Sequence, residues 1–351
     1  MGRLKEGIQK KFTLFFWVIL ISFFSYLTFL SYAENPIDTT PEVVVVDIPK
    51  GTGFFEITDI LTKAGVVKHK LFFYALALSK GATNKIKAGE YEISLSMSPS
   101  EIIDKFVKGK IKAYSVTFPE DITLKEISGR LASYKLINED EFFRLTNDPE
   151  FIASLGIEGQ SLEGYLYPDT YYLDRSMGTK EIIRLMVHQF WKKVTPEMRE
   201  RARALGFTVH EFVTLASIIG KESGNDEEKP LISAVFHNRL KRGMKLQSDP
   251  TAVYDMPNFK GPIKRKHLLN SSPHNTYHIS GLPPGPIANP GLSSLRAALY
   301  PAPVNYLYFV AKNDGTHYFS VTLKEHNEAI ARYQAIRENK DNALKVEVRQ
   351  N

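Results

Sequence analysis

The chain has 351 residues, with 45 lysines and arginines, 39 aspartates and glutamates, and no cysteine. The lack of cysteine excludes disulfides, thiolate catalysis, iron–sulfur clusters and cysteine zinc sites. Residues 1–33 carry +3 of the net charge of +6, so the rest of the chain is close to balanced and we expect no nucleic-acid partner.

The N-terminal segment predicts a membrane anchor. Residues 12–33 hold no charged side chain, and a helix of this length spans a hydrocarbon core of roughly 30 Å. All the basic residues of this segment precede the apolar run, which predicts a cytoplasmic tail at 1–11 and an extracytoplasmic, periplasmic body. A cleaved signal peptide is the alternative, because residues 31–33 (SYA) resemble a cleavage site, although signal peptides usually have a shorter apolar core. We therefore expect a single-pass protein of the cytoplasmic (inner) membrane.

A small α+β module is predicted after the anchor. Residues 34–42 are polar, contain two prolines and indicate a linker. Residues 43–96 then follow the order strand, helix, helix, strand, with predicted bounds of 43–47, 54–64, 68–79 and 88–95.

Residues 97–345 predict a larger mixed α+β region. Its predicted elements are a capped helix from 99, a strand at 114–118, helices at 124–134, 139–146, 180–193, 208–222 and 230–242, a hairpin of strands at 306–311 and 317–321, and a helix from 323 to about 339. Two stretches fit neither the helical nor the strand period. They are 161–173 (SLEGYLYPDTYYL) and 244–291, which is rich in Pro, Gly, Asn and Ser. Irregular chain of the second length is usually functional in a compact domain.

The helix at 208–222 places a carboxylate on its apolar face. Glu222 follows Ile218 by four residues and Leu215 by seven, so it lies on that face at the C-terminal end, where Gly224 is expected to cap the helix. Burial and the negative end of the helix dipole both disfavour the ionised form, which predicts a raised pKa for Glu222. Such a pKa suits a general acid near neutral pH. A purely structural glutamate, turned to solvent or paired with a cation, is the alternative.

The long irregular stretch supplies groups that suit a sugar polymer. Segments 245–251 (KLQSDPT) and 275–277 (NTY) offer amides, hydroxyls, a carboxylate and an aromatic ring, and 281–287 (GLPPGPI) is a stiff loop that can wall a cleft. The chain has no Gly-x-Ser-x-Gly elbow, phosphate-binding loop or His-Glu-x-x-His motif. Because His274 and His278 lie among turn residues, we predict no metal site.

These segments resemble the endolytic murein transglycosylases, or YceG-like proteins. The resemblance rests on ASIIGKES at 216–223, HNRL at 237–240, LQSDPT at 246–251, NTY at 275–277, GLPPGPI at 281–287, NPG at 289–291, SLEGYLYPDTYYL at 161–173, YLYFVA at 306–311 and His326-Asn327. Gly220 is a departure, because the family commonly has an acidic residue there. Since Gly220 lies off the apolar stripe of the helix, we expect it not to affect the chemistry.

The resemblance implies a lytic transglycosylase that cuts peptidoglycan glycan strands internally, without a cofactor, beside peptidoglycan synthases on nascent strands. It implies that residues 43–96 form a LysM-like module and that Glu222 is the catalytic acid and base. The expected products carry 1,6-anhydro-N-acetylmuramic acid ends. The residues expected to bind the substrate are Gln247, Asp249, Thr251, Asn275, Tyr277 and Glu163.

Two other functions stay open on the sequence. A lysozyme-type hydrolase would use Glu222 as the acid and Asp249 as the nucleophile or base. A non-catalytic cell-wall anchor would depend on the module at 43–96 alone.

Overall fold

A computed structural model describes residues 2–36, 38, 41–257 and 259–348 of the chain. The protein has a mixed α+β architecture and divides into two compact units. The first unit contains the chain up to Tyr114 together with Tyr172–Met177, and the second contains Ser115–Tyr171 and the chain from Gly178 onward.

The chain begins with helix α1, Gly2–Glu34, which starts earlier than the predicted apolar run. Its part Lys11–Glu34 is the one unbroken helix, among the residues that the structure describes, that is long and apolar enough to cross a membrane. Most large apolar side chains between Phe12 and Leu27 are exposed, as the surface of a lipid-facing helix would be. Near the end of the helix, Phe29, Tyr32 and Ala33 pack in the core of the first unit. Residues 37, 39 and 40 of the predicted linker lie outside the described residues.

The first unit confirms the predicted order of strand, helix, helix and strand. The elements are β1 (Val43–Ile48), α2 (Phe54–Lys63), α3 (Lys70–Ser79), β2 (Gly89–Ser94) and α4 (Pro99–Lys108). Strands β1 and β2 are antiparallel, with Val43 opposite Ser94 and Ile48 opposite Gly89. Helix α4 belongs to the same core, because Ile102 and Phe106 are fully buried in it, whereas the sequence grouped residues from 97 onward with the catalytic region.

The second unit is mostly helical. Its elements are α5 (Leu124–Ser133), α6 (Glu139–Thr146), α7 (Pro149–Ser154), α8 (Thr179–Lys193), α9 (Pro196–Ala204), α10 (Val209–Glu222), α11 (Lys229–Lys241), α12 (Asp249–Val253), a 3₁₀ turn (His267–Leu269), α13 (Leu292–Leu299), strands β5 (Tyr308–Ala311) and β6 (His317–Ser320), and α14 (Leu323–Val348). Strands β3 (Tyr114–Thr117) and β4 (Thr170–Leu173) pair with each other, and β5 and β6 form the predicted hairpin. The sequence predicted none of α7, α9, α12 and α13.

Helix α10 is the central buried helix of the second unit. Thr208 and Glu211 form the predicted capping box at its start. Every residue from Phe212 to Gly220 is buried, because α9, α11, α12 and α13 surround the helix. It ends after Glu222 because Ser223 adopts an extended backbone, so the left-handed glycine cap expected at position 224 does not form.

Gly220 lies against the side chain of Asp121, which precedes α5. A Cβ atom at position 220 would lie 1.8 Å from Asp121 Oδ1, so no other residue fits there without displacing that carboxylate. Position 220 is therefore a close packing contact, whereas the sequence suggested a position off the apolar face.

Candidate active site

Glu222 opens into a cavity of about 310 Å³ in the second unit. The end of α10 forms one wall, and α11, the loop before α12, the β5–β6 hairpin and the start of α14 form the others. The lining residues are Glu222, Arg239, Leu246, Gln247, Asp249, Tyr277, Phe309, Val310, Ala311, His317 and His326. Three of the residues predicted to bind substrate, Gln247, Asp249 and Tyr277, thus share one cavity with Glu222.

The carboxyl group of Glu222 has the raised pKa that its position predicts. Burial is the main cause, and the nearby charge of Asp249 adds to it, so the pKa rises from 4.5 to about 7. A hydrogen bond from the Ser248 hydroxyl to Glu222 Oε1 and the charge of Arg239 oppose the shift. A carboxyl group whose pKa lies near neutral pH can both give and take a proton there.

Arg239 of α11 holds the loop that carries the polar groups of the cavity. Its side chain is 7% exposed, and its Nη1 donates to the carbonyl oxygen of Leu246 at 2.8 Å and to Gln247 Oε1 at 3.3 Å. Its Nε donates to the carbonyl oxygen of Leu307 at 2.7 Å. The guanidinium group lies over the ring of Tyr308, 5.2 Å from the centroid. One buried cation therefore fixes the loop before α12 relative to β5.

Asp249 and Tyr277 form a hydrogen-bonded pair in the cavity. The phenol hydroxyl of Tyr277 donates to Asp249 Oδ1 at 2.5 Å. Burial and this contact with a carboxylate raise the pKa of Tyr277, so the phenol stays protonated near neutral pH. The pair presents one carboxylate oxygen that the phenol leaves unoccupied.

Thr251 and Asn275, two other residues predicted to bind substrate, are buried and do not line the cavity. Thr251 Oγ1 donates to the carbonyl oxygen of Ser248 at 2.6 Å and lies 2.8 Å from the hydroxyl of Thr276. The side-chain Nδ2 of Asn275 donates to the backbone carbonyl oxygen of Asn270 at 2.6 Å. Both side chains therefore shape the loop that holds Ser248 and Tyr277.

Glu163 also lies outside the cavity and is buried near the start of α5. Its carboxylate accepts hydrogen bonds from the backbone nitrogen of Leu124 at 3.0 Å, from Asn289 Nδ2 at 2.8 Å and from the Tyr254 hydroxyl at 3.1 Å. Burial raises the pKa of Glu163 to about 8. These contacts connect segment 161–173 with segment 289–291, so Glu163 is a buried residue that holds the two segments together.

Residues 46–332 match the YceG-like family. This chain belongs to the YceG-like family. The endolytic murein transglycosylase of Bacillus subtilis is 34% identical over 319 residues, which cover 85% of this chain and 87% of that protein.

Two further similarities agree with this membership. The endolytic murein transglycosylase of Streptococcus pneumoniae strain D39 is 30% identical over 331 residues, which cover 85% of this chain but only 60% of that longer protein. A crystal structure at 2.6 Å of a YceG-like protein from Listeria monocytogenes superposes with a TM-score of 0.58 at 36% identity, covering 82% of this chain and 99% of that one.

The sequence analysis of this YceG-like protein did not name as site residues four residues that contact Glu222 or line its cavity: Ser248, Arg239, His317 and His326. Ser248 and Arg239 lie inside the quoted motifs LQSDPT and HNRL, but their spacing in the chain gives no sign that both act on Glu222. His317 and His326 line the cavity from β6 and α14, and only His326 belongs to the motifs that carry the family resemblance.

His317 is held firmly by a buried carboxylate. Glu228 Oε1 accepts from the backbone nitrogen of His317 at 2.9 Å, and Glu228 Oε2 lies 2.7 Å from His317 Nδ1. Since an ionised carboxylate can only accept, we assign the proton of this contact to Nδ1. His326 stacks on Tyr308 with 5.1 Å between ring centroids, and burial lowers its pKa. Both rings add aromatic surface to the cavity that holds Glu222.

Proposed function

We propose that this YceG-like protein is an endolytic murein transglycosylase in which Glu222 acts first as the acid and then as the base. The proposal is carried by the carboxyl group of Glu222, which has a pKa of about 7 and opens into a polar, aromatic cavity. The relatives from Bacillus subtilis and Streptococcus pneumoniae, which match most of this chain, bear the name of this activity.

In the proposed reaction Glu222 protonates the glycosidic oxygen between N-acetylmuramic acid and N-acetylglucosamine, and the bond from C1 to that oxygen breaks. The C6 hydroxyl oxygen of the same muramic acid then bonds to C1, and its proton returns to Glu222. The acid is regenerated, the product is a 1,6-anhydro end, and no water is consumed. Because the nucleophile belongs to the substrate, its proximity to C1 is built in. Asp249 supplies negative charge near the positive centre that develops at C1.

The hydrolase alternative also finds support, because Asp249 lines the same cavity as Glu222. Two carboxyl groups beside one sugar could act as the acid and as the nucleophile or base of a lysozyme-type enzyme. Mass analysis of the fragments that the full-length protein releases from purified glycan strands tests both. Strands cut in water enriched in ¹⁸O should yield anhydro ends without the label. Reducing ends that carry ¹⁸O would identify a hydrolase, and uncut strands would leave only the wall-anchor function.

We further propose that α1 anchors the enzyme in the cytoplasmic membrane with residues 1–11 inside. The support is the exposed apolar surface of residues 12–27 and the basic residues that precede it. A reporter fused after Asn351 should be active only outside the cytoplasm, and activity inside would contradict the orientation. Anchoring would keep the enzyme near nascent strands and peptidoglycan synthases, a partnership that the family resemblance alone implies.

The β1–α2–α3–β2 module, residues 43–96, is proposed to be LysM-like and to bind glycan strands. Its exposed apolar side chains Phe55 and Leu71 are candidates for contact with sugars, with exposed fractions of 70% and 83%. Neither side chain belongs to the buried core that the module shares with α4, so substituting both by alanine should leave that core intact. The double variant should sediment less with peptidoglycan sacculi than the wild type, whereas unchanged sedimentation would identify the module as a spacer.

A further inference from the structure

A larger groove, of about 740 Å³, lies beside the catalytic cavity in the second unit. Its lining residues are Thr123, Lys125, Glu126, Lys221, Pro250, Val253, Tyr254, Met256, Phe259, Lys260, Gly261, Ile263 and Ile287. Pro250 and Ile287 of the groove belong to segments 245–251 and 281–287, but the proposed reaction gives the groove itself no role.

Two pairs of consecutive residues connect the groove with the catalytic cavity. Lys221 lines the groove and Glu222 the cavity, while Pro250 lines the groove and Asp249 the cavity. The Cα atoms of consecutive residues are 3.8 Å apart. The end of α10 and the short helix α12 are thus shared walls, with the catalytic cavity on one side and the groove on the other.

Basic and apolar side chains line the groove together. Lys125, Lys221 and Lys260 line it, and the exposed residues 264–266 (KRK) follow on the same loop. The carboxylate of Glu126, the acidic residue among those lining the groove, is engaged in the cap of α5, where it accepts from the backbone nitrogen of Thr123 at 2.8 Å. The aromatic residues Tyr254 and Phe259 and several aliphatic residues also line the groove.

This surface is complementary to an extended peptide that carries carboxylates. Apolar walls accept the backbone stem and small side chains, and the lysine ammonium groups attract the carboxylates without a fixed geometry. A membrane surface is less suited to it, because the groove is concave and a flat bilayer would reach only its rim.

We propose that this groove binds the acidic peptide that a muramic acid residue bears when its sugar lies in the catalytic cavity. The proposal rests on the proposed function and names a further part of its substrate. An extended peptide spans about 3.3–3.6 Å per residue, and a helix with its side chains is about 10–12 Å wide. Three or four residues therefore suffice to cross α12 from the cavity into the groove.

The test compares three substrates with the full-length protein in nanodiscs of neutral lipid: glycan strands with their peptides, strands freed of peptides by an amidase, and strands whose peptide carboxylates have been amidated. The wild type should cut the first with the highest kcat/KM. The double variant Lys125→Gln/Lys260→Gln should lower the ratio of kcat/KM for peptide-bearing over peptide-free strands about 3- to 10-fold, the effect of two partly exposed ion pairs.

A matched control is the double variant Lys241→Gln/Lys324→Gln, which removes two exposed lysines that do not line the groove. It should keep the wild-type ratio. The proposal is overturned if the wild type cuts peptide-free or amidated strands equally well, or if the two double variants behave alike. A loss of rate that appears only in nanodiscs of anionic lipid would also overturn it and assign the lysines to the membrane surface. If the wild type cuts none of the three substrates, the proposed function itself fails.

Discussion

The substitution Glu222→Gln should stabilise the second unit in a pH-dependent way. In the unfolded chain this carboxyl group ionises near 4.5, whereas in the folded protein burial raises its pKa to about 7. The contribution of Glu222 to wild-type stability should therefore decline as the pH rises from about 4.5 to 7, because the unfolded state loses this proton first. One pKa unit corresponds to about 1.4 kcal/mol, so the full difference is about 3 kcal/mol. Glutamine keeps the shape and the acceptor for Ser248 but cannot ionise.

Urea unfolding followed by the fluorescence of Trp191 measures this difference, because Trp191 lies in α8 of the second unit. The variant should gain about 3 kcal/mol over the wild type between pH 4 and pH 8, and the gain should level off above pH 7. The chain's other tryptophan, Trp17, lies in α1 and can be replaced by phenylalanine in both proteins. A difference in the free energy of unfolding that stays constant across this pH range would refute the raised pKa of Glu222.

The same variant tests the chemistry. General acid–base assistance contributes roughly 10²–10⁴-fold, and here one residue serves both proton transfers, so release of anhydro fragments should fall to the limit of the assay. A variant that is more stable at pH 8 and yet inactive would separate catalysis from folding. Release of anhydro fragments near the wild-type rate would overturn both the site and the mechanism.

Three further substitutions test the neighbours of the site. Asp249→Asn should leave a reduced release of anhydro ends. Because the charge of Asp249 raises the pKa of Glu222, which must be protonated to act as the acid, the variant should move the alkaline limb of the pH–rate profile to lower pH. A loss of activity as complete as that of Glu222→Gln would instead identify Asp249 as a nucleophile. Gly220→Ala should lower the free energy of unfolding by about 1–3 kcal/mol, because the new methyl group crowds Asp121. In an Asp121→Gly background the same substitution should stabilise the protein by up to about 1 kcal/mol, as alanine does inside a helix. Equal effects in both backgrounds in urea unfolding would exclude the contact. Glu163→Ala should lower the free energy of unfolding by about 2–5 kcal/mol in the same assay, because it leaves buried donors unpaired. The KM of the folded protein should stay unchanged. A raised KM at unchanged stability would instead identify Glu163 as a substrate ligand.

The sequence alone determined the features that depend on neighbouring residues. The capping box of Thr208 and Glu211 fixes the start of α10, and the apolar spacing before Glu222 places that carboxylate at a buried helix end. Alternation and turn residues likewise predicted the β1–α2–α3–β2 order and the β5–β6 hairpin. These features are readable because each rests on contacts within a few residues along the chain.

Only the tertiary structure decided which polar groups meet. Ser248 reaches Glu222 across 26 residues of chain, and Glu228 reaches His317 across 89, so no local period records either contact. The same folding turns Thr251, Asn275 and Glu163 inward, where they hold loops together and do not line the cavity. A polar residue in an irregular segment can serve a substrate or the backbone equally well, and which it serves depends on the donors that distant segments bring within hydrogen-bond distance.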